Sequence, residues 1–296
     1  MAQTLVHHGR QEFAKPFNGT VEVTRIVPGT AAQVFEALTS PDVVRQWFGD
    51  LSSPLRVGER TKLDFGDGDF FMIETKRIEP PLELEYSWRF LGTSPLDSIS
   101  WSITPNGTGC TVTVRDSQDE REPEDALMLR EGWRDFTLRL RRFLKTGRPS
   151  RYPWRHEFDG SIEIPSDVRT TWNRLFEPGK VDKWLPLNGP ALTDGATVRL
   201  GNGCEWPAFE IARVVMEQPF QVRFEVSSPA WAQTTEATLS LSPRKEGTLL
   251  SVSHYGWQTI SRRKALQKEL RKQFCDFWIT CLQTARLFVA SESRVG

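Results

Sequence analysis

The sequence is poor in the side chains that carry most acid–base and nucleophilic chemistry. Its 296 residues include only four histidines, four cysteines and three tyrosines. It has no GxSxG, P-loop, dinucleotide-binding or HExxH motif, and no CxxC pair. These absences argue against the hydrolases, nucleotide-binding enzymes and zinc enzymes that such motifs mark. We therefore expect neither a cofactor nor a metal site.

An excess of charge of one sign is also missing. Lys plus Arg and Asp plus Glu each number 38, so no global charge favours nucleic acid or an anionic membrane. No stretch approaches the roughly 18 apolar residues of a transmembrane helix. Residues 1–16 lack the apolar core of a signal peptide. We expect a cytoplasmic protein with reduced thiols that neither binds nucleic acid nor inserts into a membrane.

Aromatic residues, in contrast, are abundant. The chain holds 18 Phe and 11 Trp. Rings in such numbers indicate either a large apolar interior or a ligand cavity lined with rings. Composition alone leaves both interpretations open.

The sequence repeats itself once. Phe17–Val23 matches Phe158–Ile164, and Trp133–Phe136 matches Phe274–Phe277, in both cases 141 residues further on. Two more blocks keep the same order between these, namely Val34–Leu38 with Thr171–Leu175 and Phe65–Gly68 with Leu200–Gly203. Matched blocks in one order indicate two copies of one domain.

The bounds of the two copies follow from these blocks. We predict an N-terminal tail at 1–16, a first domain at 17–146, a linker at 147–155 and a second domain at 156–296. The linker is rich in Gly and Pro, as Gly147, Pro149 and Pro153 show. Because it is short and holds two prolines, we expect it to limit relative motion of the domains.

Both copies show the same order of predicted elements. In the first, a strand at Thr20–Val27 is followed by two short helices, of which the first opens with a capping box at Thr30–Gln33. Alternating apolar and polar residues, clearest in Leu82–Phe90, predict antiparallel strands, and a helix at Pro123–Lys145 ends the copy. We predict an α+β fold in which each copy wraps a curved antiparallel sheet on a long C-terminal helix.

The second copy ends with a long predicted helix at Thr259–Ala290. Apolar and small residues recur on one face at helical spacing: Leu266, Leu270, Phe274, Phe277, Cys281, Ala285 and Phe288. Basic residues occupy the opposite side, which we expect to face solvent: Arg262, Arg263, Lys264, Lys268, Arg271, Lys272 and Arg286.

The acidic loop DFGDGD at Asp64–Asp69 superficially resembles a metal-binding loop. It lacks the bidentate glutamate that follows a calcium loop at fixed spacing. The matching stretch of the second copy, Gly201–Gly203, has no carboxylate at all. We therefore predict a hairpin turn here.

The order of elements can be compared with a known superfamily. Together with VTRIVPGTAAQVFEALTSPDVVRQWF at Val23–Phe48 and REGWRDFTLRLRRFL at Arg130–Leu144, it resembles the helix-grip superfamily of START domains, Bet v 1-type allergens and aromatic polyketide cyclases. Within that superfamily the sequence is most similar to the bacterial Hsp90-ATPase-activator-like family. Each copy resembles the family, and together the two copies cover nearly the whole chain. The second copy is the more diverged. Tandem helix-grip proteins also occur in polyketide and enediyne antibiotic pathways.

The predicted inner faces of sheet and helix bring many rings together. We predict that they line a ligand cavity in at least one copy, although they would also suit a solid core. The candidate ligand-binding residues are Tyr86, Trp88, Phe90, Trp101, Trp133 and Phe136 in the first copy, and Phe209, Phe224, Phe274, Phe277 and Trp278 in the second.

Candidates for catalysis are few. His254 is the one histidine whose predicted position, at a strand end, could face an interior, and Tyr255 follows it directly. Together with Glu74 and Tyr86 these are the groups that could act as an acid or base. No spacing requires any of them to meet, so we predict no catalytic site.

Three functions stay open from the sequence. The first is non-enzymatic binding of an elongated or polycyclic hydrophobic molecule, such as a polyketide, polyene or aromatic natural product, for carriage or for sequestration and self-resistance. The second is a cyclase or aromatase that needs little beyond shape and one acid or base. The third, implied by the Hsp90-activator resemblance, is a protein-interaction module with a chaperone partner.

Overall fold

The computed structural model of the chain describes residues 19–188, 192–193, 195, 198–200, 209–217, 220–229 and 231–292. Within them the protein forms two seven-stranded antiparallel sheets, each packed against one long helix. This is the predicted α+β arrangement of tandem helix-grip domains. No helix in the described ranges is both long and apolar enough to cross a membrane.

The first half of the chain runs from the first strand to the first long helix. Its strands have the spatial order β1-β7-β6-β5-β4-β3-β2, so the first and last strands pair. The elements are β1 (Thr20–Pro28), α1 (Ala31–Thr39), α2 (Pro41–Trp47), β2 (Asp50–Leu51), β3 (Arg60–Asp64), β4 (Phe70–Glu79), β5 (Glu83–Phe90), β6 (Asp97–Asn106), β7 (Gly109–Ser117) and α3 (Pro123–Thr146).

The second half repeats this topology, with the order β8-β14-β13-β12-β11-β10-β9. The counterpart of α2 is only a 3-10 turn, Val181–Lys183. The elements are β8 (Phe158–Ile164), α4 (Val168–Phe176), β9 (Leu187–Asn188), β10 (Val198–Leu200), β11 (Phe209–Glu217), β12 (Gln221–Ser227), β13 (Thr235–Arg244), β14 (Gly247–Tyr255) and α5 (Lys264–Glu292).

The short helices are held by local hydrogen bonds that the sequence specifies. The backbone N–H of Gln33 donates to Thr30 Oγ1 at 3.3 Å, and the N–H of Thr30 donates to Gln33 Oε1 at 2.9 Å, which completes the predicted capping box of α1. Trp47 Nε1 donates to the Ala37 carbonyl at 2.8 Å. Trp184 makes the equivalent bond in the second half, to Leu175 at 2.9 Å.

Helix α5 differs from its prediction at one end and on one face. It begins at Lys264, because Gly256 takes a left-handed φ of 100° and starts a 3-10 turn over Trp257–Thr259. The predicted exposure of Arg271 is wrong, since its side chain has 0% of its surface exposed. The helix packs on its own sheet and also on the first half, and therefore buries a wider face than one sheet requires.

The two halves are in intimate contact. Leu91, at the end of β5, is buried in the hydrophobic core of the second half beside Phe158. A Cβ on Gly160 of β8 would lie only 3.2 Å from Leu91 Cδ1. The segment that connects the halves is bound along the first half, because the N–H of Ser150 donates to the Gln46 carbonyl at 2.8 Å. These contacts do not test where each domain begins and ends, so the predicted domain bounds stay a prediction.

Three of the four cysteines belong to the described residues. Cys110, Cys275 and Cys281 are all buried, and none of them forms a disulfide. Burial raises the pKa of each thiol above its ordinary value. Cys204 lies outside the described residues.

Candidate functional site

A cavity of about 470 Å³ lies at the open end of the first half, between the β3–β4 loop, the end of β5, helix α3 and the connecting segment. Five aromatic rings form its walls: Phe65, Phe71, Phe90, Phe136 and Tyr152. Charged side chains surround them: Asp67, Asp69, Glu131, Asp135, Arg139 and Arg155. Gly132 of α3 completes the lining and presents no side chain. The cavity is thus apolar in its walls and polar at its rim.

The wall rings contact one another rather than standing apart. Phe65 and Phe136 are stacked, with centroids 6.1 Å apart and 27° between their planes. Phe71 meets Phe65 edge-on at 6.0 Å, and Tyr152 lies 5.8 Å from Phe136. Such pairs hold each ring in place, so the cavity has a defined shape.

Behind the walls lies a column of buried rings. Phe71 stacks on Trp88 at 3.8 Å, and Trp88 stacks on Trp133 at 5.3 Å with 7° between their planes. Trp101 meets Trp133 edge-on at 5.4 Å and donates its indole N–H to Tyr86 Oη at 3.0 Å. This column is solid core.

An ionic cluster fixes the inner end of this column. Trp133 Nε1 donates to Asp116 Oδ2 at 2.8 Å, and Arg121 donates to both Asp116 and Asp97. Burial, together with the neighbouring charge of Asp116, raises the pKa of Asp97 to about 7. Burial also raises the pKa of Asp116. The cluster anchors α3 to the sheet through its tryptophan.

On one side of the rim, Arg139 joins α3 to the connecting segment. Its guanidinium donates to both oxygens of Asp135, at 2.6 and 3.2 Å, and to the carbonyls of Ser150 and Arg151, at 3.1 and 2.7 Å. It also lies 5.2 Å from the ring centroid of Tyr152. These contacts position Tyr152 at the mouth, where burial raises the pKa of its hydroxyl. That hydroxyl makes no hydrogen bond within the described residues.

The opposite side of the rim is the acidic loop between β3 and β4. Asp67 accepts the backbone N–H of Asp69 on one oxygen and that of Arg155 on the other, each at 3.0 Å. Asp69 accepts from Arg271 at 2.8 Å and lies 3.6 Å from Arg155. Burial nevertheless raises the pKa of Asp69 above its ordinary value. The loop is the predicted hairpin connection, and its carboxylates are committed to arginines and backbone amides.

The structure divides the first-copy rings predicted from the sequence into two groups. Phe90 and Phe136 line the cavity. Tyr86, Trp88, Trp101 and Trp133 are buried in the packed column behind it. Sequence reasoning missed Phe65, Phe71 and Tyr152. Phe71 pairs directly with Phe90 in the register of β4 and β5, which is a signal that strand pairing could have supplied, whereas nothing in the sequence marks Tyr152.

In the second half, the predicted rings form a tightly packed cluster. Phe224, Phe274, Phe277 and Trp278 are all buried. The ring of Phe274 lies 5.7 Å from that of Phe277, which lies 4.9 Å from that of Trp278. The side chain of Phe209 lies outside the described residues.

His254 belongs to the same cluster, and its hydrogen bonds are satisfied. Trp278 Nε1 donates to its Nδ1 at 3.0 Å, so Nε2 carries the proton and donates to Thr235 Oγ1 at 2.8 Å. Thr235 in turn donates to the Val226 carbonyl at 3.2 Å. Burial lowers the pKa of His254 to about 3. The histidine is a neutral structural residue in this arrangement.

The other predicted acid–base candidates lie elsewhere. Tyr255 is 42% exposed, and its hydroxyl donates to Asp159 Oδ1 at 3.0 Å. Glu74 is ion-paired with Lys76 and with Arg60. Tyr86 is in the core of the first half. The structure therefore does not bring these residues together.

A second, larger cleft of about 610 Å³ lies between the halves. Among the described residues its lining includes no aromatic ring but four basic side chains, Arg89, Arg244, Lys245 and Arg286, and four acidic ones, Asp119, Glu120, Glu163 and Glu246. A lining of balanced charge offers little to an apolar molecule. The smaller cavity is the better candidate for such a ligand.

Comparison with known proteins adds a relative to this geometry. The family described as Activator of Hsp90 ATPase homolog 1-like protein matches residues 28–145. The crystal structure of DynU16, a protein of the dynemicin biosynthetic locus, is 35% identical, covers 92% of this chain and 99% of its own, and superposes with a TM-score of 0.82. No curated protein matches the chain.

Two other solved structures are less similar to this chain. CalU16 from Micromonospora echinospora is 20% identical and covers 43% of this chain and 77% of its own, with a TM-score of 0.38. The di-domain ARO/CYC protein StfQ of the steffimycin biosynthetic pathway is 13% identical and covers 92% of this chain and 99% of its own, also with a TM-score of 0.38.

Proposed function

Because the chain belongs to the Activator of Hsp90 ATPase homolog 1-like helix-grip proteins, and shares the two-domain form of DynU16, we propose that it binds a hydrophobic small molecule without transforming it. The ligand is an elongated or polycyclic compound of the polyketide, polyene or aromatic natural-product type. It occupies the cavity of the first half. Its binding serves carriage during antibiotic biosynthesis or sequestration of the product.

The observation that carries this proposal is the ring-lined cavity itself. A volume of about 470 Å³ lies within the roughly 300–1,000 Å³ of ordinary small-molecule sites. Five rings supply flat apolar surface on several sides, and each buried ring face contributes through the area it removes from water. A flat conjugated ligand matches such walls better than a compact aliphatic one.

The polar rim supports orientation of the ligand rather than chemistry on it. The Tyr152 hydroxyl, which has no hydrogen-bond partner among the described residues, can donate a hydrogen bond to a ligand at the mouth. Asp135 is held by Arg139, and Asp69 by Arg271, so neither carboxylate is an available base while these pairs persist. His254 is buried among the rings of the other half.

One observation favours a second function, catalysis of the cyclase or aromatase type. Asp69 lines the cavity, and burial raises its pKa, as a general acid requires. Conversion of a polyketide-type substrate that is lost in Asp69→Asn, with binding retained, would support catalysis. The family takes its name from proteins that activate Hsp90. No contact among the described residues supports that role for this chain.

Fluorescence titration tests the proposed binding directly. The probe is 1-aminoanthracene, a flat apolar fluorophore, with a panel of polyenes and polycyclic aromatics as competitors. We expect saturable 1:1 binding and competition by the flatter compounds. Absence of saturable binding across the panel would contradict the proposal.

A further inference from the structure

We propose that the second half acts as a positioning element for the cavity of the first half, because Arg271 of α5 holds the β3–β4 loop that forms one wall of that cavity. Ligand affinity in the first half then depends on a residue of the second half that does not touch the ligand. This inference rests on the proposed binding function.

Arg271 is fully buried and uses its whole guanidinium at the contact between the halves. One terminal nitrogen donates to the Asp67 carbonyl at 2.8 Å, and the other donates to Asp69 Oδ1 at 2.8 Å. Nε and the second terminal nitrogen donate to the Glu157 carbonyl at 3.1 and 2.6 Å. A planar fork of this kind fixes its partners in direction as well as in distance.

The tip of the loop is seated directly on α5. A Cβ on Gly68 would lie 2.6 Å from Cys275 Sγ and 3.2 Å from Lys272 Cα. Gly68 also has a φ of +106°, which side chains with a Cβ rarely adopt. Glycine is therefore required here by the approach of the helix as well as by the turn.

The same loop faces the cavity on its other side. Phe65, Asp67 and Asp69 all line the cavity, while Asp67 and Asp69 also bind Arg271. Arg155 of the connecting segment closes the corner, since its backbone N–H donates to Asp67 at 3.0 Å and its guanidinium lies 5.8 Å from the ring centroid of Phe90. A displacement of the loop from α5 would thus displace a cavity wall.

A buried ion pair is well suited to this role. Desolvation offsets much of its attraction, so it adds little to stability, but it strongly disfavours geometries in which either charge loses its partner. The two halves also differ in what their aromatic rings do. The first half offers the ring-lined cavity, whereas Trp257, Phe274 and Trp278 of the second half pack around His254.

Substitution of the arginine tests the coupling. Arg271→Met removes the charged fork and keeps most of the apolar stem, and Arg271→Lys keeps the charge but not the geometry. We expect both variants to bind 1-aminoanthracene about tenfold more weakly or worse, a usual size for coupling between sites, at a temperature where circular dichroism shows them folded. Arg286→Met, the same change at an exposed position of the same helix, is the matched control and is expected to bind like the wild type.

Hydrogen exchange on the unaltered protein provides a second measurement if the buried substitutions prevent folding. Binding of the probe should slow amide exchange in residues 267–275 of α5, which do not line the cavity, because coupling is reciprocal. Unchanged exchange there, or full affinity in a folded Arg271→Met variant, would overturn the inference while the binding function stands. A wild-type protein that binds no probe of the panel would overturn both.

Discussion

Phe71 lies face to face with Trp88, with ring centroids 3.8 Å apart and 16° between the planes. One ring belongs to the cavity wall and the other to the buried core, so the wall packs directly against tightly packed core. The stack continues into Trp133 and ends on the Asp116 carboxylate. A ligand therefore meets a preformed surface, which reduces the ordering cost of binding.

Removal of a wall ring should weaken binding more than it weakens the fold. Phe136→Ala deletes the ring that contacts Phe65 and Tyr152 across the cavity. We expect the affinity for 1-aminoanthracene to fall by about 1–3 kcal/mol, the contribution of one well-packed ring, measured by fluorescence titration.

The control for this variant is Phe143→Ala, on the same helix two turns further on. Phe143 is partly buried against the first-half core and does not line the cavity. Its loss should lower the melting temperature without a comparable loss of affinity. Equal affinities for both variants would show that the ligand does not contact Phe136.

Gly132 gives a test that adds atoms instead of removing them. It lies within α3 and lines the cavity, and among the described residues no atom beyond its chain neighbours and the backbone of its own helix comes within 4 Å of a Cβ placed there. Gly132→Phe should fill the cavity and abolish probe binding. Gly132→Ala should raise stability by about 0.5–1 kcal/mol, because alanine loses less backbone entropy in a helix. Affinity should fall in the order wild type, Ala, Phe; a Phe variant that binds as well as the wild type would place the ligand elsewhere.

Much of the fold could be predicted from the sequence because its determinants are local or periodic. The Thr30–Gln33 capping box, the alternation in Leu82–Phe90 and the stripe on α5 each specify one element. The second copy shows the same order of elements and so supports each assignment a second time. Arg271 was misplaced because helical periodicity reports one buried face, and the second face of α5 is buried by a loop about 200 residues away in sequence.

The site was harder to predict for a related reason. Rings that line a cavity and rings that fill a core have the same pattern along a strand, so Phe90 could not be separated from Trp88 by alternation. The distinction depends on where the sheet, α3 and the connecting segment leave space. Tyr152 reaches the mouth only because Arg139 binds the carbonyls of Ser150 and Arg151, a contact without a sequence signature.

The ionic cluster behind Trp133 should leave a mark on the pH dependence of stability. Burial raises the folded-state pKa of Asp97 from 3.8 to about 7, so the folded protein binds a proton more tightly than the unfolded chain does. This carboxyl therefore lowers stability as the pH rises from about 4 through 7. Asp97→Asn, which can still accept from Arg121, should be more stable relative to the wild type at pH 8 than at pH 5, as urea unfolding would show. The opposite trend would mean that the ionised pair with Arg121 dominates.

His254 should have the opposite effect on pH dependence. Its pKa is lowered from 6.5 to about 3 by burial alone, so the unfolded chain binds the proton more tightly than the folded protein. The neutral histidine therefore contributes stability that is fully present above pH 6.5 and is lost as the pH falls towards 3, by up to about 1.4 kcal/mol for each pH unit. His254→Gln removes the titration, and the hydrogen bonds to Trp278 and Thr235 lose their geometry. We expect it to be less stable than the wild type at pH 7.5, by about 1–3 kcal/mol, and we expect this difference to shrink at pH 5. The free energy of unfolding is measured in urea for both proteins at each pH. Subtraction of the two values cancels the titration of the carboxylates that both proteins share. A difference that does not change with pH would show that His254 is not held neutral in the folded state.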